Sequence, residues 1–375
     1  MAEMSVASIR EHFGELTDPR RREPTYPLMD MVVMTVCAVI CGADDFVAIA
    51  KFARSKQEWF GQFLDLSNGI PSHDRFNAVI GMLKPAEFEK CLLSWITSLH
   101  EITDGQVIAI DGKTLRRSYD KASSKSAIHM VNAWATANHI SLGQVITDAK
   151  SNEITAIPKL LEIIDISGAL VTIDAMGCQT EIAAKIVDEG GDYCLAAKGN
   201  QPTLFAALQD FFSPLFDNDF EGVKVRRHVE HETTHGREVQ RFSFICPVPD
   251  DLPDRHRWKK LKAIGAMVSI SQRNGKETTE IRYYILSRYL AGPRFAQAAR
   301  GHWGVENNLH WQLDVTFGED QSRLRKNHAD ANFSILRRTA LSLLKNEQTA
   351  KVGIKNKRLL AGWNEDYLAK VLFGT

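Results

Sequence analysis

What most limits the fold of this chain is the order of its apolar runs between Gln106 and Lys198. VIAID (107–111), HMVNAWATANH (129–139) and ISLGQVITDA (140–149) read as three strands in close succession, an antiparallel meander. ITAIPKLLEIID then has helical spacing, GALVTID (168–174) returns to strand, QTEIAAKIVDEG to helix and YCLAAK (193–198) to strand. Strand and helix in alternation require parallel pairing with right-handed crossovers. The expected class is therefore α/β, on a sheet that is part antiparallel and part parallel.

The flanks differ from this block. Residues 1–103 look helical, with apolar spacing over Tyr26–Ala43 and Asp45–Phe63 and with Ser72 placed to cap a further helix. Residues 204–287 alternate at period two, and Arg273-Asn-Gly-Lys276 is a hairpin turn, so this part is expected to be a β-rich insertion. The core is expected to comprise 104–203 plus 288–348, and 349–375 to form a basic tail. Within the core, Ala299 to Phe317 reads as one helix. At 100° per residue, His302, Trp303, Leu309, His310 and Leu313 fall on the same side as Glu306, which puts a carboxylate in the middle of a face expected to be buried.

Charge and cysteines exclude several classes. The net charge is zero, which argues against a uniformly basic nucleic-acid binder. Its distribution is uneven, however, and Gln321–Thr375 alone carries a net +7. Shorter basic clusters stand at Arg20–Arg22, Arg116-Arg117, Arg226-Arg227 and Arg255–Lys260, each either a solvated face or part of a surface that tracks phosphates. The longest apolar run, Met31–Cys41, is too short to span a bilayer. With no signal-peptide pattern at the start and six cysteines lacking any CxxC pair, a cytoplasmic protein with buried thiols and no structural zinc is expected.

Two expected core strands end alike, in Ile110-Asp111 and Ile173-Asp174, and ligands of open α/β sheets bind at such carboxyl ends. One strand-terminal aspartate is commonly a turn or cap residue. Two at adjacent strand ends, joined by a glutamate from a helix that can return to the same edge, would repel one another unless divalent cations held them. Mg²⁺ takes a few carboxylates and keeps positions for water and phosphate oxygens, and two such ions about 4 Å apart serve phosphoryl transfer. Gly112-Lys113-Thr114 is not a P-loop, because position 107 is Val107 rather than glycine. Trp134, Trp303 and Trp311 could stack on bases or pack in the core.

The ordered motifs IAIDGKTLRRS, LVTIDAMGCQTEIA, YCLAAKGNQPTL, RGHWGVENNLHWQLDVTFGED and NHADANFSILRRTAL resemble those of the DDE transposases of bacterial insertion sequences, in the branch of the H-repeat-associated proteins. The resemblance covers nearly the whole chain. It implies a ribonuclease-H-like catalytic core with a β-rich insertion and an N-terminal helical domain that binds DNA ends. It also implies a catalytic and metal-binding triad of Asp111, Asp174 and Glu306 with two Mg²⁺ ions, Mn²⁺ being a possible substitute. The activity implied is DNA cleavage at the terminal inverted repeats of an element and strand transfer to target DNA. A homodimer on double-stranded DNA, nucleoid-associated when bound and with no membrane partner, goes with it.

Many members of the wider superfamily carry Tyr-x2-Arg-x3-Glu-x6-Lys around the catalytic glutamate, where this chain has Ala299, His302 and Leu313. That puts the usual phosphate contacts in doubt. His302, Lys198, Asn200 and Gln201 are the candidates to replace them, with His302 and His310 open to a packing role instead. Arg116, Arg117, Arg323, Arg325 and Lys326 are further candidate DNA contacts. Asp314, Glu319 and Asp320 rival Glu306 for the third ligand position. The alternatives are a catalytically silent DNA-binding remnant of a transposable element, and an ATP-dependent phosphotransferase on a related core.

Overall fold

The computed structural model describes residues 9–99, 106–115, 128–147, 153–234, 237–273 and 275–374. After a helical turn at residues 9–12, the described residues continue with α1 (Leu28–Ile40), α2 (Phe46–Ser55), α3 (Gln57–Phe60), α4 (His73–Met82) and α5 (Pro85–Ser98). Their starts follow local chemistry. Asp45 accepts a hydrogen bond from the Ala48 amide at 2.7 Å, and Ser72 accepts one from Arg75 at 3.3 Å, the cap the sequence predicts.

The meander follows as β1 (Val107–Leu115), β2 (Ile128–Ala135) and β3 (Ile140–Thr147), then α6 (Glu153–Leu161), β4 (Leu170–Ile173), α7 (Thr180–Asp188) and β5 (Asp192–Ala197). Strand β1 pairs antiparallel with β2 and parallel with β4, and β4 pairs parallel with β5. After α8 (Pro202–Asp217) come β6 (Arg226–Thr234), β7 (Arg237–Pro247), β8 (Ala263–Arg273) and β9 (Lys276–Leu286). These strands do not form a sheet of their own. Pairing of β5 with β9 joins them to the core in one nine-stranded sheet, ordered β3-β2-β1-β4-β5-β9-β8-β7-β6. The reason is the free edge of β5, whose backbone groups need a partner.

Helix α9 (Gly292–Val305) crosses one face of this sheet, packing Phe295, Ala298 and Ala299 on Val107, Leu170, Tyr284 and Leu286. Gly265 admits the Phe295 ring, since a Cβ there would stand 2.6 Å from Cζ. Beyond Val305 the helix widens into π-helical turns over Glu306–His310 and Gln312–Thr316. The buried positions become Val305, Leu309, Leu313 and Phe317, a step of four residues, as the wider turn demands. The steady 100° step expected across this stretch therefore fails, and Glu306 is exposed rather than buried.

Helix α10 (Ala329–Asn346) is enclosed on all sides from Ala329 to Leu344, Arg337 and Arg338 included. Helices α1, α4 and α5 cover it from one side and β3 from another. The side-chain amide of Asn332 donates to the carbonyls of Ile80 at 2.7 Å and Leu83 at 2.9 Å. Residues expected as a basic tail carry α11 (Ile354–Trp363) and α12 (Glu365–Phe373), which lie against α10. No described helix is long and apolar enough to cross a membrane. All six cysteines are free.

Candidate active site

Because β1 and β4 are parallel neighbours in register at Ile110 and Ile173, the residues that follow, Asp111 and Asp174, emerge side by side. Asp174 follows the last residue of β4, whereas β1 runs on to Leu115 in its pairing with β2, so Asp111 lies within its strand and not at the expected end. Helix α9 runs along the sheet and delivers Glu306 to the same place. A cleft of about 490 Å³ is lined by all three carboxylates together with Lys198, His302 and Trp303. Among the described residues, no three such groups close into a ready coordination shell. They share a cleft, not a cage.

The electrostatics of the cleft are those of crowded acids. The Asp111 carboxyl is pushed up to about 7, first by burial and then by the charges of Asp174, Glu153 and Glu306. Asp174 is half-buried, and its Oδ1 accepts the amides of Met176 at 3.0 Å and Gly177 at 3.2 Å, which fixes the turn after β4. It does not cap α7, whose N-cap residue is Gln179. His310 lies with Nδ1 3.5 Å from Asp111 Oδ2, but burial, Lys113 and Arg338 push its pKa down to about 3, so the ring is neutral. His302 is likewise held below its ordinary value, chiefly by burial, against the pull of Asp174.

The adjacent lysine offers these acids no relief. Lys113 is buried, and its ammonium stands 2.6 Å from Asp314 Oδ1 and 2.8 Å from Glu319 Oε2. Glu319, itself fully buried, also accepts from Ser334 Oγ at 2.6 Å. Burial would raise its pKa, yet Arg338, Lys113 and Arg337 outweigh that and hold it at about 2. Of the rivals to Glu306, then, Asp314 and Glu319 are bound to Lys113, and none of the three lines the cleft.

The other expected contacts divide. Lys198 is exposed at the rim of the cleft. Asn200 donates to the Ala175 carbonyl, and Gln201 to the Cys178 carbonyl at 3.0 Å and Gln179 Oε1 at 3.3 Å, so both brace the loop behind Asp174. Arg116 and Arg117 lie outside the described residues. Arg323 and Lys326 are exposed and Arg325 half-buried, all outside the cleft lining.

Two residues escaped the sequence. Glu153, 3.0 Å from His129 Nε2, is a fourth acid at the site, held above its ordinary pKa by burial. An acid in the first turn of a helix is so ordinary that its spacing carried no signal. Arg282 on β9 enters the cleft with its guanidinium 3.3 Å from the Trp303 ring centroid and paired to Glu280 through two bonds of 2.7 Å. Period-two alternation predicted its strand but not that this strand adjoins β5.

Comparison with known proteins agrees with the geometry. The family described as transposase DDE domain matches residues 102–343, and the one described as DDE_Tnp_1-associated matches residues 10–96. The chain is 40% identical to the "H repeat-associated putative transposase YhhI" of Escherichia coli strain K12, over 99% of both proteins. It is 42% identical to the "Putative transposase YncI" of Escherichia coli O157:H7, over 98% of this chain and 95% of the other. A solved piggyBac transposase synaptic complex with hairpin DNA overlaps at a TM-score of 0.40 and 11% identity, over 98% of this chain and 80% of that one, too distant to carry an argument. The chain belongs to the DDE transposases of bacterial insertion sequences, among the H-repeat-associated proteins.

Proposed function

We propose that this chain cuts phosphodiester bonds at the ends of an insertion sequence and joins the freed ends to target DNA, with the cleft at Asp111 as its catalytic centre. The observation that carries the reading is the meeting of Asp111, Asp174 and Glu306 in one cleft, while Lys113, two residues after Asp111, is committed to Asp314 and Glu319. The strand order β3-β2-β1-β4-β5, antiparallel then parallel, supports a ribonuclease-H-like core.

Carboxylate oxygens are hard ligands suited to Mg²⁺, with Mn²⁺ as a substitute, and the mutual repulsion that raises Asp111 is what a divalent ion would relieve. Two such ions, when bound, stabilise charge on the attacking and leaving oxygens of an in-line displacement. Asp111, Asp174 and Glu306 would hold them. Lys198 and Arg282 line the cleft and would meet non-bridging phosphate oxygens, with Trp303 holding the Arg282 guanidinium against its ring. In the first step a water oxygen bonds to phosphorus as the bond to the 3′ oxygen breaks, leaving a 3′-hydroxyl and a 5′-phosphate. In the second, that hydroxyl displaces a 3′ oxygen of target DNA, so the number of phosphodiester bonds is conserved. Both steps share one geometry. Holding two ends together calls for two copies of the chain on DNA, and the N-terminal helices, outside the catalytic sheet, are assigned to grip those ends.

The test replaces Asp111→Asn, Asp174→Asn and Glu306→Gln singly. Cleavage of a duplex carrying the element end, in Mg²⁺ and in Mn²⁺, is expected to fall by orders of magnitude while gel-shift affinity and thermal stability persist. Loss of affinity in parallel would mark these as structural residues. Wild-type binding without cleavage in either metal would make the chain a silent remnant.

A further inference from the structure

We propose that a second cleft, at the amino ends of β1, β4 and β5, is a phosphate-binding site. It has a volume of about 650 Å³ and is lined by Gln106, Asp192, Arg226, Arg288, Tyr289 and Arg294, among others. It opens at the opposite end of the sheet from Asp111 and Asp174. Helix α9 connects the two places. Its amino terminus borders this cleft and its far end leads to Glu306, and 14 residues at 1.5 Å each put about 21 Å between them.

Three observations point to an anion. The first is charge: three arginines line the cleft against one carboxylate, and that carboxylate is already shared. Asp192 accepts from Ser287 at 2.7 Å and pairs with Lys260 at 2.9 Å and Arg288 at 3.5 Å. Arg294 is held below its ordinary pKa by burial and by Arg288, as expected where cations outnumber their partners. Arg226 is fixed in advance, its guanidinium 4.0 Å from the Tyr289 ring centroid and donating to the Tyr289 carbonyl at 2.8 Å.

The second is the helix end. Residue Ala291 gives α9 no side-chain cap, and Pro293 has no amide to donate. The amides of Gly292 and Arg294 have no acceptor within the helix, and the positive end of the helix dipole faces the cleft.

The third observation is independent of both. Gln106 is only 5% exposed, yet its Oε1 and Nε2 lack any hydrogen-bond partner among the described residues. The Tyr289 hydroxyl is equally without one among them. Buried amide and hydroxyl groups normally find partners, and those left over call for a water, an ion or a ligand. An amide and a phenol that can donate, beside three guanidinium forks, match a tetrahedral oxyanion. A DNA backbone phosphate and a free phosphate or phosphorylated small molecule share that chemistry.

The experiment titrates the full chain with inorganic phosphate at constant ionic strength, by calorimetry and thermal shift, and with a short duplex of arbitrary sequence over a salt series. Arg288→Gln/Arg294→Gln and Gln106→Leu are compared with wild type. Saturable phosphate binding, weakened roughly tenfold or more in each variant, is expected. Gln106→Leu should fold at least as stably as wild type, since it removes unpaired buried groups. If the arginine variant also binds duplex more weakly, with a salt slope reduced by about 0.9 for each phosphate no longer neutralised, the phosphate comes from a nucleic-acid backbone. If duplex binding is unchanged while phosphate binding is lost, the ligand is a free phosphate compound. Phosphate that acts no differently from chloride, or equally on all variants, overturns the proposal. Cleavage is not among the readouts, so failure here leaves the carboxylate reading standing.

Discussion

Glu153 Oε1 fills the space above Gly112, only 2.0 Å from where a Cβ on that glycine would stand. The glycine after Asp111 thus leaves room for the Glu153 side chain, whose carboxylate an added Cβ would push aside. Gly112→Ala should displace the Glu153 carboxylate and weaken its contact with His129, lowering stability by about 1 kcal/mol, the net worth of a hydrogen bond. It should also reduce DNA cleavage by moving a charge that acts on Asp111. In the double variant Gly112→Ala/Glu153→Ala, the glycine change should cost little beyond Glu153→Ala alone in denaturant titration. If the single change proved neutral, the contact would be looser than its geometry.

The triangle of Lys113, Asp314 and Glu319 is expected to be structural. Lys113→Met strands a buried carboxylate and should cost about 3 kcal/mol or more, because breaking a buried pair leaves a charge uncompensated. Adding Glu319→Gln should return much of that loss. Asp314→Asn, at the more exposed corner, should leave most cleavage activity intact. Guanidinium unfolding of the three variants, with cleavage assays alongside, would check both points, and strong loss of cleavage with normal stability in Asp314→Asn would transfer a catalytic role to it.

A pH prediction comes from Glu89, in a narrow gap between α5, β3 and α10. Burial pushes its carboxyl up to about 8, against the pull of Arg338. An acid whose folded pKa is raised stabilises the protein while protonated, and the benefit is lost as pH rises from the unfolded value near 4.5 to about 8. Glu89→Gln should therefore raise the melting temperature more at pH 9 than at pH 5. An equal shift at both values would show that Glu89 ionises normally in the fold.

Arg323 and Lys326 are exposed and outside the cleft, as backbone contacts would be. Replacing them together with Arg325 by glutamine should weaken binding to every duplex and flatten the slope of log affinity against log salt by about 0.9 for each phosphate left without its cation. A loss limited to the element end, with the slope unchanged, would make them readers of sequence.

The sequence was most legible where one local rule governed. The end of β4 before Asp174 followed from an apolar run stopped by an acid, and the Ser72 cap from its own neighbours; the same rule failed at Asp111, because pairing with β2 carries β1 on to Leu115. Glu306 was harder, because a fixed angular step cannot foresee the widening at Val305. It placed the residue in a buried stripe, whereas a cleft keeps it exposed. Pairings across long separations were illegible for another reason. Lys113 meets Glu319 206 positions away, and nothing in either motif marks them as partners. Arg282 reaches the cleft because the insertion adopts the edge of β5, a choice made by the sheet as a whole.

The burial of α10 bears on the order in which the protein is made. Asn332 seals the end of α4 across 252 residues, and α1, α4 and α5 all pack on α10. At about 5–20 residues per second, a ribosome needs on the order of 10–50 s to supply the covering helix after α4 has emerged. During that interval the leading helices exist without their core, and chaperones should find them. Glu306 is synthesised shortly before α10, so a chain released early would lack either that residue or the helix that consolidates the fold.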